Sequence, residues 1–146
     1  MNRFALTASL LATFGLAALP AGAEKTESIT FNVKVNPKLD GEILCALYDG
    51  EERWLSRDVF RHARVRVRDS RWVTCTFDNV PAGTYGIAGI HDEDGDEEID
   101  KTLGIPTEGY TTSRNAHEKG IYPDWEDASF RFSATTTASQ VGHMNY

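Results

Sequence analysis

The chain is poor in several things, and each shortage narrows what it can do. It has two cysteines in 146 residues, too few for a disulfide-dense miniprotein. Those two, Cys45 and Cys75, are not spaced as CxxC, so nothing points to a redox centre. Cationic charge is short: 15 Lys and Arg stand against 22 Asp and Glu, a net charge of −7. An acidic chain is a poor partner for nucleic acid or anionic lipid. The four histidines, His62, His91, His117 and His143, are scattered, with no HExxH spacing for zinc. Ser56 and Ser113 lack the glycine context of a nucleophile elbow. Repeats, low-complexity tracts and interdomain linkers are absent. After residue 20 no apolar run is long enough to span a membrane.

What is present begins at the N-terminus. Arg3 supplies a positive start, Phe4 to Leu19 is an uncharged and mostly apolar run, Pro20 breaks it, and Ala21-Gly22-Ala23 offers a small-x-small cleavage pattern. Residues 1–23 are therefore expected to be a signal peptide cleaved before Glu24. The alternative is an uncleaved anchor, for which the 16-residue run is short. No cysteine follows the cleavage point, which argues against lipid attachment. Residues 24–146 remain, 146 less 23, or 123 residues, enough for one domain with its own core. Arg3 is the one charged residue removed, so the net charge passes from −7 to −8. The expected location is the periplasm or the outside of the cell.

The mature region reads as short strands. Ile29, Phe31, Val33 and Val35 alternate with polar residues, the period of a half-buried strand. Glu42 to Tyr48 is apolar on both faces, as a central strand is. Ala63 to Arg68, Trp72 to Phe77, Thr84 to Ile90, Ala128 to Ala134 and Gln140 to Tyr146 supply the others. Glu51 to His62 reads as a short helix or an irregular crossover. Cys45 sits between Ile43 and Leu47, and Cys75 between Val73 and Phe77, so both side chains face the core. In an oxidising compartment they are expected to form a disulfide; two buried thiols are the alternative. The pattern predicts an all-β, antiparallel β-sandwich of about seven strands, immunoglobulin-like or transthyretin-like, with one long loop.

The strongest chemical feature is His91-Asp92-Glu93-Asp94-Gly95-Asp96-Glu97-Glu98-Ile99-Asp100. Seven of the nine residues from Asp92 to Asp100 are acidic. Calcium loops take side-chain oxygens from their first, third, fifth and ninth places and a carbonyl from the seventh. Counted from Asp92, those places hold Asp92, Asp94, Asp96, Asp100 and Glu98. Two departures stand out. The sixth place, ordinarily Gly, is Glu97, and the twelfth, ordinarily a bidentate Glu, is Leu103. Glu108 is the next carboxylate that can return to such a site. A solvated acidic tip, its charges splayed and screened by salt, is the competing reading.

The segment Phe77-Asp78-Asn79-Val80-Pro81-Ala82-Gly83-Thr84-Tyr85 resembles the hairpin of transthyretin-like and collagen-binding-B-type sandwiches. The resemblance implies that Gly83 supplies the turn backbone and that Phe77 and Tyr85 pack inside. Further on, His91-Asp92-x-Asp94-Gly95-Asp96, Ile99-Asp100 and Leu103-Gly104-Ile105-Pro106-Thr107-Glu108-Gly109-Tyr110 resemble the exported bacterial "domain of unknown function 2141" family. Ser113, Asn115, Ala116 and Asp127-Ala128-x-Phe130 add to the likeness, which covers about Ile29 to Tyr146. It implies an exported β-sandwich and supplies no reaction. Members commonly carry Asn and Gly where this chain has acids, with Glu97 standing where Gly is usual, so the resemblance implies a more charged site with a tight turn that is harder to form.

Thr102 to Asp127 shows no clear strand, and a stretch that long is often a functional loop. It holds Tyr110, Arg114, Asn115 and His117, candidates for lining a ligand groove; packing of the loop by Tyr110, Tyr122 and Trp125 is the plainer reading. Arg53, Arg57, Arg61, Arg64, Arg66, Arg68 and Arg71 crowd 19 positions. They read as a solvated strand face or as a patch for an acidic partner, including the acidic loop of a second copy. His91 and His117 are a lesser candidate pair for a transition metal. The leading expectation is a non-catalytic binding or structural module with calcium at the acidic loop, no other cofactor and an unidentified envelope or extracellular partner. A hydrolase of envelope polymers using loop carboxylates such as Glu108, and an adaptor using the Arg-rich face, are the alternatives.

Overall fold

A computed structural model describes residues 25–146; the expected signal segment lies outside them. The fold is an all-β sandwich. Its first sheet has the order β10–β1–β4, built from β1 (Thr26–Lys34), β4 (Trp72–Pro81) and β10 (Ala138–His143). The second has the order β3–β2–β5–β8, from β2 (Glu42–Tyr48), β3 (Arg61–Arg66), β5 (Gly83–Asp92) and β8 (Gly109–Thr112), with β9 (Phe130–Phe132) also paired to β5. A small separate hairpin joins β6 (Lys101–Thr102) to β7 (Ile105–Pro106). All pairs are antiparallel except β1 with β10, which are parallel.

The period-two alternation explains the layers. Ile29, Phe31 and Val33 of β1 and Val73, Cys75 and Phe77 of β4 point inward from one sheet, and Ile43, Cys45 and Leu47 of β2 and Tyr85 and Ile87 of β5 from the other; all are buried. Cys45 and Cys75 meet across the core in a disulfide with Cα atoms 6.4 Å apart. The bond staples sheet to sheet between central strand β2 and edge strand β4.

Two expectations need correction. The Val80–Gly83 turn is not a hairpin within one sheet, because β4 pairs with β1 while β5 pairs with β2. It is the corner at which the chain changes sheets. Phe77 and Tyr85 do pack inside, but Gly83 does not have a positive φ; the left-handed residue here is Asn79 (φ 55). Gly83 sits in a tight place for a different reason. The Tyr85 ring lies over it, 3.0 Å from where a Cβ would stand, and the Tyr85 hydroxyl donates to the Pro81 carbonyl at 3.0 Å.

The long stretch from Thr102 to Asp127 is also more ordered than its composition predicts. β8 lies within it and extends the second sheet, followed by 3-10 turns over Ser113–Lys119 and a single helical turn, α1 (Trp125–Ala128). The strand escapes notice because it is four residues long and contains no aliphatic side chain. Its backbone pairs Gly109 with His91 and Thr112 with Ala88. Thr111, buried between the layers, has a hydroxyl with no hydrogen-bond partner among the described residues. A buried, unpaired hydroxyl is destabilising, so Thr111→Val is expected to raise stability by about 1 kcal/mol, measurable as a higher urea midpoint at unchanged slope.

Candidate functional site

The acidic loop grows from the end of β5. Asp92 is the last residue of that strand and is only 2 % exposed. Its Oδ1 accepts the Gly95 amide at 2.8 Å and its Oδ2 the Glu97 amide at 3.3 Å, so one side chain coils the following turn around itself. Asp94 Oδ1 accepts from the Asp96 amide at 3.2 Å, and Asp96 Oδ1 from the Glu98 amide at 2.8 Å. These are successive Asx turns, the local bonding that short acidic side chains favour. The turn is tight: Gly95 has φ 86 and Glu97 φ 65. Glu97 thus stands in the left-handed region, where a side chain costs about 1 kcal/mol or more.

As a result, the carboxylates of Asp92, Asp94 and Asp96 converge, with one oxygen from each within 4.8 Å of the other two. They are the one such acidic or His-containing group among the described residues. Calcium binds oxygens at about 2.3–2.6 Å, so oxygens on opposite sides of one ion stand roughly 4.6–5.2 Å apart. The triad fits that span.

The other three carboxylates expected at the site are placed differently. Glu98 reaches outward to Arg57, 2.5 Å away. Asp100 is exposed and starts the β6–β7 hairpin, its carbonyl accepting the Thr107 amide at 2.8 Å. Glu108 is buried, and its two oxygens take the amides of Glu93 at 2.9 Å and Asp100 at 3.1 Å. It braces the two ends of the acidic loop together from β8's approach. Sequence spacing leads to Glu108 as a returning carboxylate, but not to its role as a brace, which depends on the β6–β7 hairpin turning the chain back.

The Arg-rich segment is largely neutralised by the chain's own acids. Arg57 pairs with Glu98, Arg64 with Glu97 and Glu42, Arg66 with Glu42, and Arg53 with Asp49 and Asp58. Arg61 lies over the Phe60 ring. Arg57 and Arg64 therefore strap the outer rim of the acidic loop to the second sheet, while no ion pair reaches Asp92, Asp94 or Asp96 among the described residues.

Over residues 32–140 the sequence matches the family model described as "Uncharacterized protein conserved in bacteria (DUF2141)". The chain belongs to this family. No curated protein and no solved structure matches it. The matched span takes in both cysteines, the acidic loop and β8.

The candidate groove residues of the long segment are engaged within the fold. Arg114 donates to the carbonyls of Glu126 at 3.2 Å and Ser129 at 2.9 Å. Asn115 Oδ1 accepts the His143 amide at 2.8 Å. Tyr110 is joined to Asn145 through both backbone and side chain. His117 is buried, its Nδ1 accepts the Thr112 amide at 3.2 Å, and burial holds the imidazole below its ordinary pKa. A neutral ring is the form that accepts that bond. His91 is fully buried on β5. Its Nε2 faces the Asp40 carbonyl at 3.1 Å and its Nδ1 the Tyr146 hydroxyl at 2.9 Å. A carbonyl only accepts, so Nε2 donates to Asp40. Both ring nitrogens of His91 are thereby occupied, one by the C-terminal residue.

Proposed function

We propose that the chain is an exported, non-catalytic binding module whose acidic loop takes up a divalent cation of the calcium class. The observation that carries the reading is the convergence of Asp92, Asp94 and Asp96, with Asp92 buried and no cationic side chain among the described residues paired to any of the three. Buried carboxylates are ordinarily paired or coordinate a metal. Here two amides satisfy part of the Asp92 demand, and a cation supplies the missing charge. Its ligands would be the carboxylates of Asp92, Asp94 and Asp96. The Cys45–Cys75 disulfide is compatible with the oxidising compartment in which such a chain would work. No helix among the described residues is long and apolar enough to cross a membrane.

Affinity should be modest. Glu97 in place of Gly and Leu103 in place of a bidentate Glu each remove a feature of tight loops, which puts the dissociation constant at about 10⁻⁴–10⁻³ M, the range of extracellular modules. Calorimetric titration of residues 24–146, which include every described element, is expected to give one saturable site in that range. The Asp94→Ala, Asp96→Ala variant is expected to give no heat. Absence of heat from the parent chain at millimolar calcium removes the cation reading. The placement of Glu108 as a brace supports a binding role over a catalytic one; envelope-polymer hydrolysis abolished by Glu108→Gln in a chain that still folds overturns that part.

A further inference from the structure

The chain leaves β8 through a segment that is both strained and fastened. Arg114 and Asn115 follow one another in the left-handed region, at φ 59 and φ 51. Asn tolerates that state, Arg does not favour it, and two such residues in succession hold backbone strain. The segment Ser113–Lys119 stays closed because its side chains grip three neighbours. Ser113, fully buried, accepts the Ile87 amide of β5 at 2.9 Å and donates to the Ala128 carbonyl of α1 at 2.6 Å. Asn115 takes the His143 amide of β10, and Arg114 the carbonyls of Glu126 and Ser129 at the two ends of α1.

His117 is the fastening that a proton undoes. The ring is buried, and its Nδ1 accepts the Thr112 amide at 3.2 Å. The Thr112 hydroxyl accepts the His117 amide at 3.0 Å, so the end of β8 and the far end of the segment close on each other. An amide only donates, so Nδ1 has to keep its lone pair. A proton on Nδ1 sets one N–H against another and leaves a charge in a buried place. The Ser113, Asn115 and Arg114 fastenings do not change charge between pH 5 and 8, whereas an imidazole does.

We propose that Ser113–Lys119 is an acid-released clip: a proton on His117 Nδ1 removes the acceptor of the Thr112 amide, and the strained Arg114–Asn115 turn then comes away from β8 and β10. The surroundings oppose that proton at neutral pH. Burial holds the ring below its ordinary pKa, and the His143 imidazole of β10 adds to the effect, while Glu118 and the His143 backbone pull the other way. From β8 the Tyr110 ring stands edge-on, 5.7 Å away between centres. On α1, Asp127 is paired with Lys119 and Glu126 is exposed. The folded chain thus binds fewer protons at His117 than the unfolded chain. The clip's contribution is complete above about pH 6.5 and is lost as the pH falls from there through the lowered value.

NMR of residues 24–146 in chelator tests the clip apart from any cation. The His117 imidazole is expected to titrate below about pH 6.5, with the Thr112 amide shift following the same midpoint. Hydrogen-exchange protection of the Thr112 and His143 amides is expected to fall about tenfold or more between about pH 7.5 and about pH 5.0, while the β2 amides keep theirs. These readings need the parent chain alone, so they decide even where a variant does not fold. His117→Asn, which offers a non-titrating acceptor, is expected to abolish the transition, and His143→Gln to keep it. A His117 midpoint at or above the ordinary value, unchanged protection at Thr112 and His143, or a loss shared equally by β2 overturns the proposal. So does a transition that survives His117→Asn or vanishes with His143→Gln.

Discussion

Replacing Cys45 and Cys75 together by Ala is expected to lower stability by about 3–4 kcal/mol. The bond joins residues 30 apart, and closing a loop of that length in the unfolded chain removes roughly 3.6 kcal/mol of chain entropy at 25 °C. The native state adds a second reason. Both sulfurs are buried in the core between the two sheets, so the variant loses interior contacts as well. For a domain of this size the change corresponds to a fall in melting temperature of about 10–15 °C. Differential scanning calorimetry of the parent and the double variant measures it. A fall of only about 2 °C would show that the core, not the staple, holds the sheets together.

Gly41→Ala carries the second large effect, and it links the fold to the site. Gly41 has φ +125, a backbone state L side chains rarely adopt. A Cβ there would stand 2.3 Å from the Asp92 carbonyl oxygen and 3.0 Å from Glu93 Cα. Both obstacles are backbone, at the root of the acidic loop, and cannot swing aside as a flexible side chain does. Strain and overlap together are expected to lower stability by about 3 kcal/mol. Whatever relief the chain finds must move Asp92, so calcium affinity should fall with it. Urea unfolding measures the first effect, and calorimetric titration of the variant below its melting range the second. A variant of parental stability would mean that the loop root is looser than its packing indicates.

Much of the sandwich is legible in the sequence because its core strands obey the two-residue period. Ile29, Phe31 and Val33 alternate as they do because one sheet face meets the core and the other meets water. β2 is apolar on both faces because its outer residues, Leu44 and Ala46, floor a groove. The sheet change after β4 is not legible, since a hairpin and a corner use the same turn residues. β8 is hidden because backbone pairing and burial of Thr111 and Thr112, rather than an aliphatic stripe, place it in the sheet.

The site divides the same way. The alternate acids point to the triad: Asp94 and Asp96 form Asx turns, and Asp92 gathers the amides of Gly95 and Glu97 so that the turn coils around it. They do not predict that Glu97 and Glu98 turn outward to Arg64 of β3 and to Arg57 of the crossover before it, which meet the loop only through the tertiary fold. Nor do they predict the brace from Glu108. The Arg-rich run and the acidic run meet at two ion pairs, Arg57 with Glu98 and Arg64 with Glu97, while Arg53 and Arg66 pair with acids outside the loop.

Cation binding is the function proposed for the loop from Asp92 to Asp100. It is tested most directly by amide NMR spectra of residues 24–146 during calcium addition. The amides of Gly95, Asp96, Glu97 and Glu98 each bond to a triad carboxylate, so they should shift together and saturate with one dissociation constant near 10⁻⁴–10⁻³ M. The Glu93 and Asp100 amides, held by Glu108, should move less. If those four amides stay in place at millimolar calcium, or drift without saturating and equally on adding sodium chloride, the loop is a solvated acidic turn that holds no cation.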